Sequence, residues 1–598
     1  MADTSVTLQR LILPDPVICT EEGLYVRTSG PAILRLQNDD VTLQPGGTVR
    51  FDTYMNLLNL GTWSTHCQLD GLTLTLTGTG RVALQVTRLT DDVMAPQILL
   101  ETDVVLEADT VHNLTHALTN PAGLIVVSVT AISDANLTGG AFTAPLPASA
   151  APFRLAIAIT TFRREDDVAQ TAARITGFFD GPGKPLLAQA DAQAHLFIVD
   201  NGQSACPAPH PTLTLIPNAN LGGAGGFARG LVAAQDGGFS HCLFMDDDAS
   251  FEMENLIRTI AFLRLARSPR AAVAGAMISS AAKWRMWENG ARFWRACRPQ
   301  YTGTDLRDLQ QVITMERDAA LPKPAHFYGG WWYFAFPVDQ VRHYPYPFFV
   351  RGDDISFSLA NQFDTATLGG VVSFQDDFAA KESPLTLYLD MRNHLHHHLT
   401  QVGMQLGWAK SAWIVGRFFL RSIVRMHYDS ANAQLTAWED VMRGPDFFRD
   451  NADMMIKRPQ ITADIKSEKW QACDPATLPP PCPLKPPGAL MSYAMKFTLN
   501  GHLIPFWRGA TQRIALADRG LIWPLWGTGI AHFTNATTYE TYVVRHDKAQ
   551  FRALVGRGWG LLQRWRHEYA GLQAAYVADY TKTATRTFWE NQFKARKP

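Results

Sequence analysis

The chain has 598 residues, of which 46% are hydrophobic and 18% charged, with 54 Lys or Arg against 55 Asp or Glu. This composition excludes a disordered or fibrous chain, and the net charge of −1 excludes a global field that draws in nucleic acid. The length predicts several domains, because single domains usually hold ~100–200 residues.

The cysteines and the N-terminus bear on the cellular compartment. Seven scattered cysteines without a CxxC motif argue against a disulfide framework or a structural zinc site. The N-terminal residues show no secretory signal pattern, and no apolar run of ~18–20 residues predicts a transmembrane helix. We therefore expect a cytoplasmic protein, with peripheral contact to the inner face of the plasma membrane left open.

Residues 1–150 are predicted to form an N-terminal β-sandwich or barrel domain. Short apolar or alternating runs occur at residues 32–36, 48–51, 72–76, 82–86 and 124–129. Turn residues such as the Gly-Thr-Gly at 78–80 separate them, and a small-residue and proline stretch at 144–152 closes the domain.

Residues 151–400 are predicted to form an α/β domain around a Rossmann-like mixed sheet. Apolar runs at 155–160, 196–199, 213–216, 242–245 and 272–276 alternate with helical patterns such as 226–234 and 253–265. In such sheets, ligands bind at the carboxyl ends of the strands.

Residues 401–598 are predicted to form a mainly α-helical C-terminal domain. A segment with seven prolines, 474–488, interrupts it as a linker or surface wrap. Two late helices are expected at 549–566 and 568–580.

Three adjacent carboxylates, Asp246, Asp247 and Asp248, follow the apolar run at 242–245. Their mutual repulsion is relieved by a divalent ion with oxygen ligands or by solvent. In an extended segment Asp246 and Asp248 point the same way and can serve one ligand together. The alternative is an acidic turn in water.

The stretch at 220–226, Asn-Leu-Gly-Gly-Ala-Gly-Gly, lies upstream of a predicted helix. Its glycines let the backbone approach a ligand and leave amide groups free at a helix start. It lacks the Gly-Lys-Ser/Thr of a Walker loop, and a plain flexible loop is the alternative.

Two further motifs each have a structural and a functional interpretation. Asp353 and Asp354 precede a helical stretch, where they could cap the helix or one could act as a general base. Trp331 and Trp332 follow two glycines, where they could pack in a core or form a platform for a sugar face.

Two helical segments carry further candidates. His394 and His398 lie four residues apart, as a metal pair could, but no HExxH context accompanies them. Residues 408–426 form a basic amphipathic pattern, which suits either an anionic bilayer or a core helix with a solvated edge.

Taken in order, these motifs resemble family 2 glycosyltransferases with a GT-A fold. The closest resemblance is to bacterial galactofuranosyltransferases of the kind that polymerise mycobacterial cell-wall galactan, and it covers almost the whole chain. The segments that carry it share their order with that family and lie at residues 8–14, 51–56, 160–164, 220–226, 244–248, 330–332, 352–354 and 388–393.

The resemblance implies roles for single residues. Asp354 is the implied catalytic base, with Asp353 beside it on the donor or acceptor. The implied contacts to the uridine and the donor are Thr161, Arg164, Asp200, Asn220, Gly222, Asp246 and Asp247. The implied acceptor contacts are Trp331, Trp332 and Glu288.

The implied metal site departs from the family pattern. Relatives place a metal-binding histidine after the Asp-Asp motif, and Gln375 occupies that position here. The implied ligands of Mn²⁺ or Mg²⁺ are therefore Asp246 and Asp248, with Gln375 or Asp376 as the third; Asp377 is another candidate.

The resemblance implies an inverting, metal-dependent transfer of galactofuranose from UDP-galactofuranose to a hydroxyl of a glycan, which could be lipid-linked. The alternatives are another UDP-sugar donor, a catalytically inactive glycan-binding or assembly module, or a glycoside hydrolase built on paired carboxylates. No nucleic-acid partner is expected, and a homo-oligomer through the helical region stays open.

Overall fold

The computed structural model describes residues 5–90, 96–107, 110–147, 152–248, 250–376, 382–401, 403–482, 485–507 and 509–596. The chain divides into two compact units. The first unit comprises Met1–Tyr344, Phe357–Asp376 and Trp589–Pro598, and the second comprises Pro345–Ser356 and Asp377–Phe588. The division into three domains stays a prediction.

The N-terminal part of the first unit is an eleven-stranded antiparallel sheet. Its elements are β1 (Ser5–Arg10), β2 (Arg27–Ser29), β3 (Ala32–Arg35), β4 (Asp40–Leu43), β5 (Thr48–Arg50), β6 (Leu58–Asn59), α1 (Leu60–His66), β7 (Thr73–Leu89), β8 (Gln97–Leu106), β9 (Thr110–Asn113), β10 (Leu124–Ala131) and β11 (Ala135–Pro145). Strands therefore lie at the predicted apolar runs, with alternating burial in β7 that leaves one face toward a core.

The predicted turn at 78–80 is wrong, because β7 runs straight through it. The first half of β7 pairs with β11 and β9, and the second half pairs with β10 and β8. A Cβ on Gly78 or Gly80 would lie 2.2 or 2.3 Å from a backbone oxygen of the neighbouring strand region. These glycines let the backbone of β7 lie close to the neighbouring backbone, which is a common reason for glycine within a strand.

The remainder of the first unit is built on an eight-stranded mixed sheet with order β14-β13-β12-β15-β21-β16-β17 and β22 beside β16. Its elements and those near it are β12 (Phe153–Thr161), α2 (Glu165–Asp180), α3 (Gly183–Gln189), β13 (Ala192–Asp200), β14 (Leu213–Pro217), α4 (Gly222–Asp236), β15 (His241–Asp246), α5 (Glu254–Leu265), β16 (Ala271–Ser279), β17 (Met286–Glu288), β18 (Ala291–Phe293), β19 (Cys297–Pro299), α6 (Leu309–Ala319), β20 (Phe327–Tyr328), β21 (Phe334–Pro337), α7 (Asp353–Asn361) and β22 (Asp364–Gln375).

Four consecutive strands of this sheet, β14, β13, β12 and β15, are parallel. The central ones, β12 and β15, are nearly continuous apolar runs with both faces buried, as expected for parallel strands covered by helices. The strands and helices lie where the sequence predicted them; the GT-A layout itself stays a prediction.

The second unit is mainly helical. Its elements are α8 (Pro384–Thr400), α9 (Trp408–Ile423), α10 (Tyr428–Val441), α11 (Asp446–Asp450), α12 (Lys457–Asp464), β23 (Gln471–Ala472), α13 (Ala489–Phe497), β24 (Ala510–Ala515), β25 (Thr528–Asn535), β26 (Glu540–Arg545), α14 (Lys548–Thr583) and the start of α15 (Arg586–Ala595). In the described part of the chain, no helix combines the length and apolarity needed to cross a membrane.

Two features of this unit differ from the sequence prediction. The helices expected at 549–566 and 568–580 form one helix of 36 residues, α14. Asp547 caps its N-terminus by accepting hydrogen bonds from the N–H groups of Ala549 and Gln550, and no proline interrupts the helix. A four-stranded sheet, β23-β26-β25-β24, lies in the region predicted to be helical.

Candidate functional site

Three polar residues of the first unit meet where parallel strands end. Thr161 ends β12, Asp200 ends β13 and Asp246 ends β15. In the strand register Thr161 pairs with Asp200, and Thr160 pairs with Asp246. The parallel sheet therefore brings these predicted donor-binding residues to one edge, as strand-end positions imply.

The second carboxylate of the triplet points inward. The Thr161 hydroxyl donates to Asp247 Oδ2 at 2.7 Å, and Arg164 Nη1 donates to Asp247 Oδ1 at 3.2 Å. Burial raises the pKa of Asp247 to about 6, although both partners act to lower it. Arg164 Nη1 also donates to Asp248, so one guanidinium links two of the three carboxylates.

Asp246 and Asp248 do not follow the alternation of an extended strand. β15 ends at Asp246, and the next two residues form a turn. Asp248 therefore shares Arg164 with Asp247, which corrects the expectation that Asp247 alone points away.

The first carboxylate contacts Gln375, one of the predicted metal ligands. Gln375 Nε2 donates to Asp246 Oδ2 at 3.2 Å, because β22 ends beside the same sheet edge. Ser280 donates to Asp376, so this alternative ligand is held by another partner. Asp377 lies outside the described residues.

The donor types here suit a hard cation, although the side chains are not turned to hold one. Asp246 offers carboxylate oxygens, the ligands that Mg²⁺ and Mn²⁺ prefer, whereas Gln375 faces Asp246 with its amide nitrogen. Among the described residues, no group of three His, Cys, Asp or Glu could hold a metal. An ion here would therefore rely on an amide oxygen and on ligand or water oxygens to complete its shell.

Asp200 organises the loop after β13. Its carboxylate accepts hydrogen bonds from the backbone N–H groups of Gly202, Gln203 and Ala205 at 2.7–2.9 Å. A carboxylate satisfied by three amides fixes a loop firmly, so any contact of Asp200 to a nucleoside is in addition to this role.

Two asparagines that sequence reasoning missed extend this loop toward the glycine-rich stretch. Asn218 Nδ2 donates to Asn201 Oδ1 at 2.8 Å, and Asn201 Nδ2 donates to the Gly222 carbonyl at 3.0 Å. Asn220 Oδ1 accepts from the Gly222 N–H at 3.2 Å. The position of Asn201 and Asn218 directly after strand ends was the signal that could have identified them.

The glycine-rich stretch begins α4 and packs closely on β12. A Cβ on Gly226 would lie 2.2 Å from the Thr160 side chain, and Gly222 has φ +66°. These two glycines thus have structural reasons to be glycine, and the plain flexible loop is wrong because the segment is helical. At the helix start the Gly222 N–H donates to Asn220 Oδ1 and the Gly225 N–H donates to the Leu221 carbonyl.

The predicted acceptor residues are buried. Trp331 is 5% exposed and packs edge-on against Phe227 and Phe244, with ring centroids 5.0 Å apart. Trp332 Nε1 donates to the Gly275 carbonyl at 2.9 Å, and Glu288 is buried at the end of β17. The tryptophans serve the core in this structure, and their contact with an acceptor stays a prediction.

The Asp-Asp pair begins α7, and it belongs to the second unit because the boundary between the units falls within this helix, after Ser356. Asp353 is buried, Asp354 is half-buried, and the Ile355 N–H donates to Asp354 Oδ1 at 2.8 Å. Burial raises the pKa of Asp354 to about 6; the Asp390 carboxylate adds to the rise and Arg351 opposes it. Such a value is typical of a carboxylate that works as a base near neutral pH.

The histidine pair is engaged by backbone carbonyls. His394 Nδ1 lies 2.7 Å from the Asp390 carbonyl, and His398 Nδ1 lies 3.0 Å from the Met404 carbonyl. Burial lowers the pKa of His394 to about 4. Both contacts favour packing roles over a shared metal.

Comparisons with known proteins agree with the motif resemblance. No family model matches the chain. Galactofuranosyltransferase GlfT2 of Mycobacterium tuberculosis (strain ATCC 25618 / H37Rv) is 24% identical over 538 residues, which is 80% of each chain. Galactofuranosyltransferase GlfT2 of Mycolicibacterium smegmatis (strain ATCC 700084 / mc(2)155) is 23% identical over 517 residues, which is 80% of this chain and 76% of that one.

A solved structure, the CBM22-1-GH10 modules of the Clostridium thermocellum xylanase 10B, has a TM-score of 0.15 and 12% identity over 32% of this chain and 38% of that one. This likeness carries no argument about the fold. The two relatives confirm the resemblance to bacterial galactofuranosyltransferases and the prediction that the chain is a glycosyltransferase.

Proposed function

We propose that this protein is an inverting, metal-dependent glycosyltransferase that moves galactofuranose from UDP-galactofuranose to a hydroxyl of a glycan. The observation that carries the proposal is the strand-end cluster of Thr161, Arg164 and the Asp246–Asp248 triplet, in a chain similar to galactofuranosyltransferases across most of its length. The name of these relatives supports the donor sugar.

On the donor side, Arg164 and the start of α4 would hold the diphosphate. Arg164 already spans two carboxylates, and its planar guanidinium suits phosphate oxygens equally well. The helix start at Gly222 adds N–H groups and the positive end of a helix dipole. Thr161 and Asp200 would hold the strand-end edge of the sheet in the conformation that binds the nucleoside.

Asp246, Asp248 and Gln375 would hold a Mg²⁺ or Mn²⁺ ion, whose positive charge would stabilise the diphosphate leaving group. Arg164 would share that task from the protein side, because it stays charged at every working pH.

In the second unit, Asp354 would act as the general base. With a pKa of about 6, it is mostly ionised at neutral pH and remains basic enough to accept a proton from an acceptor hydroxyl. The hydroxyl oxygen then forms its bond to the anomeric carbon while the bond from that carbon to the diphosphate oxygen breaks. Attack from the opposite face inverts the configuration, and no covalent enzyme intermediate is needed.

The proposed partners are the UDP-sugar and a glycan acceptor, which could carry a lipid. Asp353, Glu288, Trp331 and Trp332 would bind the acceptor by analogy with the family, and the burial of the tryptophans then requires side-chain movement on binding. We further propose a cytoplasmic location with peripheral contact to the membrane, and a homo-oligomer as a second possibility for the helical region.

Two alternatives lead to different results in the same assay. Another donor sugar would leave the strand-end cluster unchanged and alter only the sugar pocket. An inactive glycan-binding module is favoured by Gln375, which replaces the metal-binding histidine.

The test measures UDP release from UDP-galactofuranose with Mn²⁺ and a galactan acceptor. Asp246→Asn is expected to lower turnover by more than about a hundredfold, because metal stabilisation of a leaving group is worth several kcal/mol. Asp464→Asn, at an exposed aspartate that ends α12, is the matched control and should keep full activity. Equal turnover of Asp246→Asn and wild type would refute the proposed metal site, and no turnover by wild type would favour the inactive module.

A further inference from the structure

A short loop of the second unit, residues 348–352, has a strained backbone. Phe349, Arg351 and Gly352 have φ of +70°, +73° and +82°, in the left-handed region. Glycine adopts this region readily, but a phenylalanine and an arginine seldom do. Such positions persist only where neighbouring groups hold them, and they cluster at functional sites. The loop leads directly into α7, which carries Asp354 in its first turn.

Two adjacent residues of α8 hold this loop by its carbonyl groups. Arg392 Nη2 donates to the Phe348 carbonyl at 2.5 Å. Asn393 Nδ2 donates to the Val350 carbonyl at 3.0 Å and to the Arg351 carbonyl at 2.5 Å. The two side chains also contact each other, since Arg392 Nε donates to Asn393 Oδ1 at 3.0 Å. We call this pair, Arg392 and Asn393, the carbonyl clamp.

The guanidinium of the carbonyl clamp is a buried charge. Arg392 is 0% exposed, and no carboxylate of the described residues forms an ion pair with it. Its other contacts include the Met454 sulfur at 3.4 Å and the rings of Phe448 and Tyr388 at 4.8 and 5.6 Å. A cation without a carboxylate partner is costly to bury, so packing alone does not explain it. Charge-assisted hydrogen bonds to a strained loop do, because they are among the strongest that a side chain makes.

The loop lies directly against α8 and determines where α7 begins. A Cβ on Gly352 would lie 2.8 Å from His397 Nε2, and His397 is four residues after Asn393 on the same helix face. The Gly352 carbonyl accepts a hydrogen bond from the Ser356 N–H at 3.0 Å, so the last residue of the loop supplies an acceptor for the first turn of α7. The position of the loop therefore sets the position of Asp354 in that turn.

The loop also carries a charge that acts on Asp354. Burial raises the pKa of both Asp354 and Asp390, and Arg351 opposes the rise in each. The charged groups acting on Asp354 are thus Arg351 on the loop and Asp390 on α8. A displaced loop would change how much water reaches Asp354 and how close Arg351 lies to it.

We propose that Arg392 and Asn393 are positioning residues, which hold residues 348–352 in the strained conformation that directs Asp354 toward an acceptor hydroxyl. The inference rests on the proposed role of Asp354 as the base, and it adds the groups that fix this base in place. Neither residue of the carbonyl clamp needs to touch donor or acceptor. This role accounts for both the left-handed residues of the loop and the buried charge on α8.

The test compares Arg392→Met with wild type and with a matched control, Arg425→Met. Met is apolar and flexible, so it removes the charge and the donors while filling much of the space. Arg425 is also buried, at 2% exposed, and donates to the backbone carbonyls of Arg421 and Arg519 instead. Replacing a buried charge by an apolar side chain often costs little stability, so both variants should unfold near the wild-type midpoint. If Arg392→Met does not fold, Asn393→Ala takes its place, because it removes two of the three hydrogen bonds to the loop.

Two measurements report on the loop and on the base. Hydrogen–deuterium exchange of residues 345–356 should become at least about tenfold faster in Arg392→Met, because the loop can then open locally. The kcat for UDP release should fall about tenfold to a hundredfold, since a misplacement of about 1 Å can cost that much. The KM for UDP-galactofuranose should stay within about threefold, because residues 348–352 contain no proposed donor contact. Arg425→Met should change none of the three quantities. Unchanged exchange in Arg392→Met, or faster exchange with unchanged kcat, would overturn the inference.

A measurement without substrate separates this inference from the proposed function. Asp354→Asn is expected to raise the thermal unfolding midpoint above pH 7, because burial raises the pKa of Asp354. In the Arg392→Met background this gain should fall by at least about half, since a released loop lets water reach the carboxylate, whereas the Arg425→Met background should keep it. A wild type without transfer activity would contradict the proposed function alone. Equal gains in all three backgrounds would overturn the positioning role of the carbonyl clamp.

Discussion

Replacing Asp354 with Asn should stabilise the protein while it removes activity. The pKa of Asp354 rises from 3.8 to about 6, so the ionised carboxylate costs the fold up to about 3 kcal/mol at about 1.4 kcal/mol per unit. Solvent reaches this half-buried group, which reduces the expected gain to about 1–2 kcal/mol. Asn keeps the shape and can still accept the hydrogen bond from Ile355.

The stability gained by Asp354→Asn should increase with pH. Since the folded-state pKa lies above the unfolded-state value, the carboxyl imposes no cost below about pH 4, where it is protonated in both states. The cost grows between about pH 4 and 6 and is complete above that range. The thermal unfolding midpoint of Asp354→Asn should therefore exceed that of wild type by about 1–3 °C above pH 7, and the two should converge toward pH 4.

The activity of the same variant should fall. Loss of a general base lowers turnover by about 10²–10⁴-fold, measured as UDP release from UDP-galactofuranose. Asp464→Asn, the exposed control, should change neither quantity. A destabilised variant, or one with near wild-type turnover, would refute the assignment of Asp354 as a base that burial holds at a raised pKa.

Three further substitutions test other parts of the account. Asp390→Asn removes a like charge near the base and should move the acidic limb of the pH–kcat/KM profile below its wild-type position near pH 6. Thr161→Val leaves a buried carboxylate without its 2.7 Å hydroxyl donor and should lower the unfolding free energy by about 1–3 kcal/mol at neutral pH, with unchanged stability as the contrary result. Gly226→Ala should lower the unfolding free energy by about 1–3 kcal/mol, because the new Cβ would lie 2.2 Å from a side chain of β12. As its control, Gly556→Ala in open space on α14 should raise the unfolding free energy by up to about 1 kcal/mol. Equal effects of the two substitutions in denaturant unfolding would contradict the close packing of α4.

The strands of the mixed sheet could be predicted because each is a short apolar run bounded by turn residues. The family resemblance implied Thr161, Asp200 and Asp246 as donor contacts, and the parallel order of the strands in the structure brings them to one edge. The position of such a strand can be read from its own segment, because a strand that is buried on both faces appears as a continuous apolar run.

Other features depend on tertiary contacts that one segment does not encode. Glycines at 78 and 80 suggested a turn, but they serve a close approach between strands. The link from Arg164 to two carboxylates joins residues more than eighty positions apart, and the turn after Asp246 ended the alternation on which the metal geometry was predicted. The GT-A layout and the three-domain division stay predictions.

The central claim is most directly tested by finding which UDP-sugar the protein recognises. Thermal unfolding is measured with Mn²⁺ and UDP-galactofuranose, UDP-galactopyranose or UDP-glucose, each with and without chelator, followed by mass spectrometry of the acceptor product. We predict that UDP-galactofuranose alone raises the midpoint beyond the effect of UDP, that chelator abolishes this rise, and that the acceptor gains a hexose. A larger rise with another UDP-sugar, or stabilisation that survives the chelator, would contradict the account.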